Sequence, residues 1–254
     1  MTAEALAHLR ELFWLHAIVF LRVGPVMSLF PGFGEQSVPV RVKLVLAVAF
    51  TVVSAPLIAP EVSTRLSTMP GYARLALVET GIGLLLGIGV RLFIIALQTC
   101  GAIAAQATSL AQILGAAGVT PLPALGHFLV VGALALAMVL GLHVRVTEML
   151  VLSYRVLPLG VVPDPGVIAE WGVARIAQAF SLAFMLAAPF VLVSLVYNLT
   201  LGVINRAMPQ LLVVFVGAPV ITGAGLFLLY LLAPTMLGIW AEALFGFVEN
   251  PFGG

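Results

Sequence analysis

Long apolar runs, parted by short clusters of charge, proline and glycine, set the pattern of this chain. A helix that crosses a bilayer core needs about 20 predominantly apolar residues, and runs of that size recur along the sequence. They are Leu12 to Phe30, Val42 to Ile58, Leu75 to about Ala105, Pro123 to Leu142, Ile176 to Asn198 and Leu211 to Trp240, the last long enough for a broken span. The pattern predicts five or six spanning helices. Pro25, Pro56, Pro189, Pro219 and Pro234 lie within or at the ends of these runs, where each is expected to kink a helix or end it. The third run is the least ordinary: Leu75 to Ala117 holds no proline, and as one helix it would reach about 64 Å. That is about twice a bilayer core, so the reading favours a hairpin turning near Gln98 to Gly101 over a single long helix.

Composition fixes the class. The 254 residues are 62% hydrophobic and 8% charged, with a mean hydropathy of +1.21, against about 25% charged in an ordinary soluble domain. Eleven basic and ten acidic side chains are too few to cover a water-facing surface of this size. The reading is an all-α integral membrane protein, a single domain over 1–254 with a short polar N-terminus (1–11) and a C-terminal tail (241–254). No cleaved signal peptide is expected, because Glu4, His8, Arg10 and Glu11 stand where a basic patch would be. A net charge of +1 without a run of Lys or Arg lacks the footprint of nucleic-acid binding.

Charge is also unevenly placed. Positions 92 to 144 contain no Asp, Glu, Lys or Arg, although Gly115, Gly118, Pro121 and Pro123 demand a turn there. Irregular backbone without charge suits a place buried in protein or lining a cavity, since lipid satisfies neither N–H nor C=O. The segment Gln106 to Pro123 is therefore either a pore or plug loop or a re-entrant turn packed between helices. Within the apolar runs Arg22, Glu79 and Arg91 are costly to bury and draw attention for that reason. Glu79 and Arg91 are 12 residues apart, about 18 Å along one helix and on different faces, so each needs a partner elsewhere. Stabilising contacts within an assembly fit these isolated groups better than an ion relay, which needs several acids on one path. Gly83 and Gly87 form a small-xxx-small pair that lets another helix approach closely.

Catalytic patterns are missing from the sequence. His8, His16, His127 and His143 lack metal-ligand spacing, and there is neither a nucleophile elbow nor a phosphate-binding loop. No enzyme, metal or cofactor is expected. The lone Cys100 reads as a small buried hydrophobe. A secondary transporter of small solutes would need an internal repeat with paired interrupted helices, and none is evident.

Two clusters carry a resemblance. The first is RVGPVMSLFPGFG from Arg22 to Gly34, followed by SVPVRVKL from Ser37 to Leu44. The second is NLTLGVINRAMPQLLVVFVGAP from Asn198 to Pro219. With Glu79, Gly83, Gly87, Gln98, Gly101 and Gln106 along the third run and LPLG at Leu157 to Gly160, the chain resembles the FliR family over about Arg10 to Leu244. That family comprises the flagellar biosynthetic protein of the type III export gate, with an injectisome counterpart (SctT/SpaR-like) in virulence secretion.

The resemblance implies a non-enzymatic subunit built of Pro-kinked helical hairpins, set in a multi-subunit helical assembly in the bacterial inner membrane at the flagellar basal body. It implies FliP and FliQ as partners in the core complex, FlhB and FlhA as neighbours, membrane lipid around it, and unfolded exported proteins as cargo. Pro39 and Arg41 match the family's turn after the first helix. Asn205, Arg206, Pro209 and Gln210 match its most recognisable signature, read as an assembly contact or hinge or as an ordinary polar turn. The uncharged loop falls where the family carries its pore plug, which makes Gln106, Ile113, Leu114, Gly115, Gly118 and Pro121 plug candidates. This loop departs from the family's Phe-containing, Asp-Pro-ended form, being smaller and less aromatic.

Overall fold

The computed structural model describes residues 3–35, 38–66, 71–109, 124–208 and 213–253. These form seven helices and, among the described residues, no strand: α1 (Ala3–Leu29), α2 (Val40–Leu66), α3 (Tyr72–Ser109), α4 (Ala124–Val139), α5 (Leu142–Val156), α6 (Pro165–Ala207) and α7 (Val213–Glu249). Five are long and apolar enough to cross a membrane, or six spans if the bent α4 and α5 pair is one. This is the all-α membrane architecture that the apolar runs imply.

Two compact units divide the chain, one formed by 1–92, 138–175 and 243–254, the other by 93–137 and 176–242. In the first unit α1 packs on α2 through a tight connection. Gly32 adopts a positive φ of 87° there, and the Gly34 N–H donates to the Phe30 carbonyl at 2.7 Å. A Cβ on Gly34 would overlap the Ser28 carbonyl oxygen, so only glycine fits this corner. The rings of Phe30 and Phe33 stack beneath it at 5.3 Å. Pro39 then starts α2, its carbonyl accepting from the Val42 and Lys43 amides at 2.9 and 3.2 Å.

Helix α5 shows why it lies where it does. Leu142, Val146, Met149, Leu150, Ser153 and Tyr154 are buried, spaced three and four apart on one stripe, while Arg145, Glu148 and Arg155 lie outside it. At the start of α6, the Asp164 carboxylate accepts from the Gly166 and Val167 amides at 2.8 and 3.1 Å. Pro165 stands at the first helical position, where its missing N–H costs nothing.

In the second unit small residues bring helices together. A Cβ on Gly101 of α3 would overlap the backbone of Gly126 of α4. Around that crossing Leu97, Cys100, Ala104, Leu129 and Ala133 are buried. The indole N–H of Trp240, on α7, donates to the Phe93 carbonyl at 2.9 Å. From α6 only Leu182, Ala183, Leu186, Ala187, Phe190 and Ser194 are buried, a stripe too narrow to cover an apolar helix of 43 residues.

Two sequence expectations are corrected. The hairpin near Gln98 to Gly101 does not form: α3 runs unbroken for 38 residues, and Gly101 serves the contact with α4 instead of a turn. Of the two outcomes expected of the prolines, a kink or a helix end, the second does not occur: Pro25, Pro56, Pro189, Pro219 and Pro234 all lie inside helices. A proline removes a single N–H donor, which neighbouring groups in a membrane helix can compensate. Pro219 and Pro234 leave α7 one helix of 37 residues, so the sixth run is not a broken span.

Candidate functional site

The sequence marks Arg22 and Glu79 as isolated charges; the fold brings them together in the first unit. Arg22 projects from α1 and Glu79 from α3, and both side chains are fully buried. The guanidinium Nε donates to Glu79 Oε2 at 2.8 Å, Nη1 to the Ser153 hydroxyl at 3.1 Å and Nη2 to the Leu157 carbonyl at 3.0 Å. Its plane lies over the Tyr154 ring, 3.7 Å from the centroid, a cation–π contact strengthened by the loss of water. The other oxygen of Glu79, Oε1, accepts from the Gly160 amide at 3.0 Å, where Gly160 has a φ of 68°. Ser153 in turn donates to the Leu150 carbonyl at 2.7 Å.

This network answers the cost of burial directly. A buried ion pair is tolerable only when its remaining donors and acceptors are also filled, and here one pair reaches α1, α3, α5 and the turn after α5. Gly83 makes it possible, because a Cβ there would overlap the Arg22 carbonyl oxygen. Gly87, one turn on, sits against Leu29 and the Val26 backbone. The small-xxx-small pair thus seats α1 on α3 in the way its spacing implies. Both oxygens of Glu79 are committed to protein partners, which suits a fastener better than a step on an ion path.

Arg91 finds its partner elsewhere, donating to Glu35 at 2.5 and 3.3 Å from its two Nη atoms. Both side chains are about a quarter exposed. The pair ties the connection after α1 to α3. Glu35, Ser153 and Tyr154 did not stand out in the sequence. The usable signal was that two arginines in apolar runs must each be answered by polar groups, and LPLG, next to Ser153 and Tyr154, was the nearest.

The remaining sequence candidates are scattered. Pro39 caps α2, and Arg41 is exposed in its first turn. Gln106, exposed near the end of α3, lines a groove of about 580 Å³ with Thr99, Ser194 and Asn198. There the Ser194 hydroxyl donates to the Ala107 carbonyl at 2.6 Å, and Asn198 Nδ2 donates to the Ser194 carbonyl and hydroxyl at 2.8 and 3.1 Å. Asn205 and Arg206 are exposed at the end of α6. Ile113, Leu114, Gly115, Gly118 and Pro121, and likewise Pro209 and Gln210, lie outside the described residues. Among the described residues no cluster of three or more His, Cys, Asp or Glu side chains could hold a metal ion.

Comparison with known proteins decides what this arrangement belongs to. The family model for bacterial export proteins, family 1, matches residues 13–246. The flagellar biosynthetic protein FliR of Caulobacter vibrioides is 34% identical over 231 residues, 90% of this chain and 92% of its own length. FliR of Escherichia coli is 30% identical over 249 residues, 93% and 91% of the two chains. FliR of Bacillus subtilis is 26% identical over 216 residues, 82% of each. The chain belongs to the FliR family of bacterial export proteins.

Membership makes it a structural component of the flagellar type III export apparatus. Its long apolar helices agree with a location in the membrane. In FliR terms, the first cluster identified from sequence contains Arg22, the cation of the buried network, and Lys43, which donates to the Gly34 carbonyl at 2.9 Å. The LPLG cluster contains two more of its contacts, the Leu157 carbonyl and the Gly160 amide. Three stretches of the resemblance in the first unit, at Arg22, Glu79 and Leu157 to Gly160, thus meet in one polar network.

Proposed function

We propose that this FliR-family chain is a non-enzymatic subunit of the type III export gate, forming with FliP and FliQ the channel that passes unfolded flagellar substrates. FlhB and FlhA would be its neighbours, in the cytoplasmic membrane at the basal body, with residues 1–254 acting as one membrane domain. The observation that carries this reading is the outward apolar surface of α6. Exposed Val167, Phe180, Phe184, Leu192, Val196 and Val203 are strung along about 54 Å of helix, whereas a bilayer core is about 30 Å thick. Even a tilt of about 40°, the upper end of the usual range, leaves apolar surface that lipid does not reach. Protein subunits are the natural cover for it.

Within that assembly, Arg22, Glu79, Gly83 and Gly87 hold the first unit together. Asn205, Arg206, Pro209 and Gln210 form an assembly contact, in which the five donors of Arg206 suit carbonyls or a partner carboxylate. Ile113, Leu114, Gly115, Gly118 and Pro121 belong to the loop that plugs the closed pore; Gln106, expected to begin that loop, lies instead in the last turns of α3, which lead into it. The flagellar reading takes precedence over the injectisome one because the relatives that match are flagellar biosynthetic proteins. A clean deletion strain is expected to grow normally and build no filaments, regaining them when the gene is restored, and affinity-tagged chain is expected to bring down FliP and FliQ. Normal filaments in the deletion strain would overturn the proposal.

A further inference from the structure

We infer that the first unit carries a binding site for one anionic phospholipid, in a groove formed by α1, α2 and α3 with Lys43 at its polar end. The groove measures about 570 Å³, within the range of small-molecule sites. Its walls are mainly apolar, with Phe20, Leu21 and Gly24 from α1, Leu44 and Ala47 from α2 and Leu84 from α3, and carry the hydroxyls of Ser28 and Thr80. Lys43 also lines it, half-buried, and no acidic residue does.

The charge balance around Lys43 selects the occupant. The ammonium uses one of its three donors on the Gly34 carbonyl at 2.9 Å, which leaves donors for an incoming anion. The nearest acid in sequence, Glu35, is already engaged through both oxygens by Arg91. Among the described residues no carboxylate forms an ion pair with Lys43, so its charge is locally uncompensated. Depth points the same way. Lys43 is the fourth residue of the candidate span Val40–Pro60, the level at which a lysine stem lies along apolar surface and its head reaches the lipid headgroups. An acyl chain along Leu44, Ala47 and Leu84 with its phosphate on Lys43 meets both the apolar wall and the lone cation.

The test uses the full-length chain, tagged and purified from its host membrane in mild detergent with whatever subunits accompany it. Co-purifying lipids are then quantified by mass spectrometry for the natural chain, Lys43→Gln and Lys43→Arg. The anionic lipid retained per chain is expected to fall several-fold in Lys43→Gln and to persist in Lys43→Arg, with zwitterionic lipid unchanged in all three. Equal anionic lipid in all three would overturn the site. A photoreactive residue in place of Ser28, on the groove wall, keeps the test decisive if Lys43→Gln folds poorly. Crosslinks to phospholipid are expected, and crosslinks solely to a protein chain would assign the groove to a partner subunit and overturn the inference.

Discussion

In the first unit a buried guanidinium meets a buried carboxylate at 2.8 Å, and four further polar or aromatic contacts close around them. In the second, helices meet where glycine faces glycine, and the internal hydrogen bonds run from neutral side chains such as Ser194 and Trp240 to backbone carbonyls. The sequence divides in the same way: of 11 basic and 10 acidic side chains, only Arg206 and Glu242 fall in the second unit. The two solutions differ in what they demand. A charged network fixes one arrangement because every donor must be matched, and an omission is severe. Close packing of small residues tolerates no added volume, yet leaves no charge stranded in a region whose neighbours are apolar.

Substitutions in the two units put this contrast to the test. The largest effect is expected from Glu79→Leu, which strands Arg22 and leaves the Gly160 amide without its acceptor. A loss of about 3–5 kcal/mol should appear as a sharp fall in the thermal transition of the purified chain and in its membrane yield. The double change Arg22→Met with Glu79→Leu is expected to recover much of that loss, since a buried pair can be replaced by apolar groups of similar volume. If the single variant were as stable as the natural chain, the first unit would not depend on the pair.

In the second unit, Gly101→Ala places a methyl against the Gly126 backbone and is expected to cost about 1–3 kcal/mol, read from the same thermal transition. Gly81→Ala on the same helix meets nothing within 4 Å and is expected to cost nothing, alanine being the better helix former, so equal losses at the two sites would show that close approach is not what sets the cost. The smallest effect belongs to Arg145→Ala. Its contacts to Glu148 at 3.3 Å and Glu249 at 3.7 Å join side chains that are 47–60% exposed, and exposed pairs of this kind are worth about 0.5 kcal/mol. A loss comparable with that of Glu79→Leu would erase the distinction between buried and exposed pairs.

The long apolar runs made the helices legible, and two embedded charges on one helix, too far apart to pair, made the need for partners legible. The partners themselves were not. Arg22 and Glu79 are separated by 57 residues, and Arg22 and Leu157 by 135, so no local period connects them. Gly101 misled because a small residue in an apolar run serves a turn and a helix crossing equally well, and only the position of Gly126 distinguishes the two. Proline left two outcomes open for a related reason. Its lost N–H is a local fact, whereas the groups that compensate for it come from elsewhere in the fold. The family signature at Asn205 and Arg206 shows the converse limit. These residues are exposed at the end of α6, and what they contact in an assembly is not written in one chain.

The Arg22 network also sets a timetable for biosynthesis. Glu79 follows Arg22 by 57 residues, but Ser153 and Leu157 follow it by 131 and 135, and Gly160 follows Glu79 by 81. At about 5–20 residues per second, a growing chain holds the ion pair for several seconds before its other hydrogen-bonding partners have been made. In that interval the first three helices carry a cation and a carboxylate with open valences, which favours keeping them beside the insertion machinery or a chaperoning subunit until α5 arrives. Ribosome stalling or truncation before Gly160 would therefore yield a product unsuited to rest alone in lipid, and a natural target for membrane proteolysis.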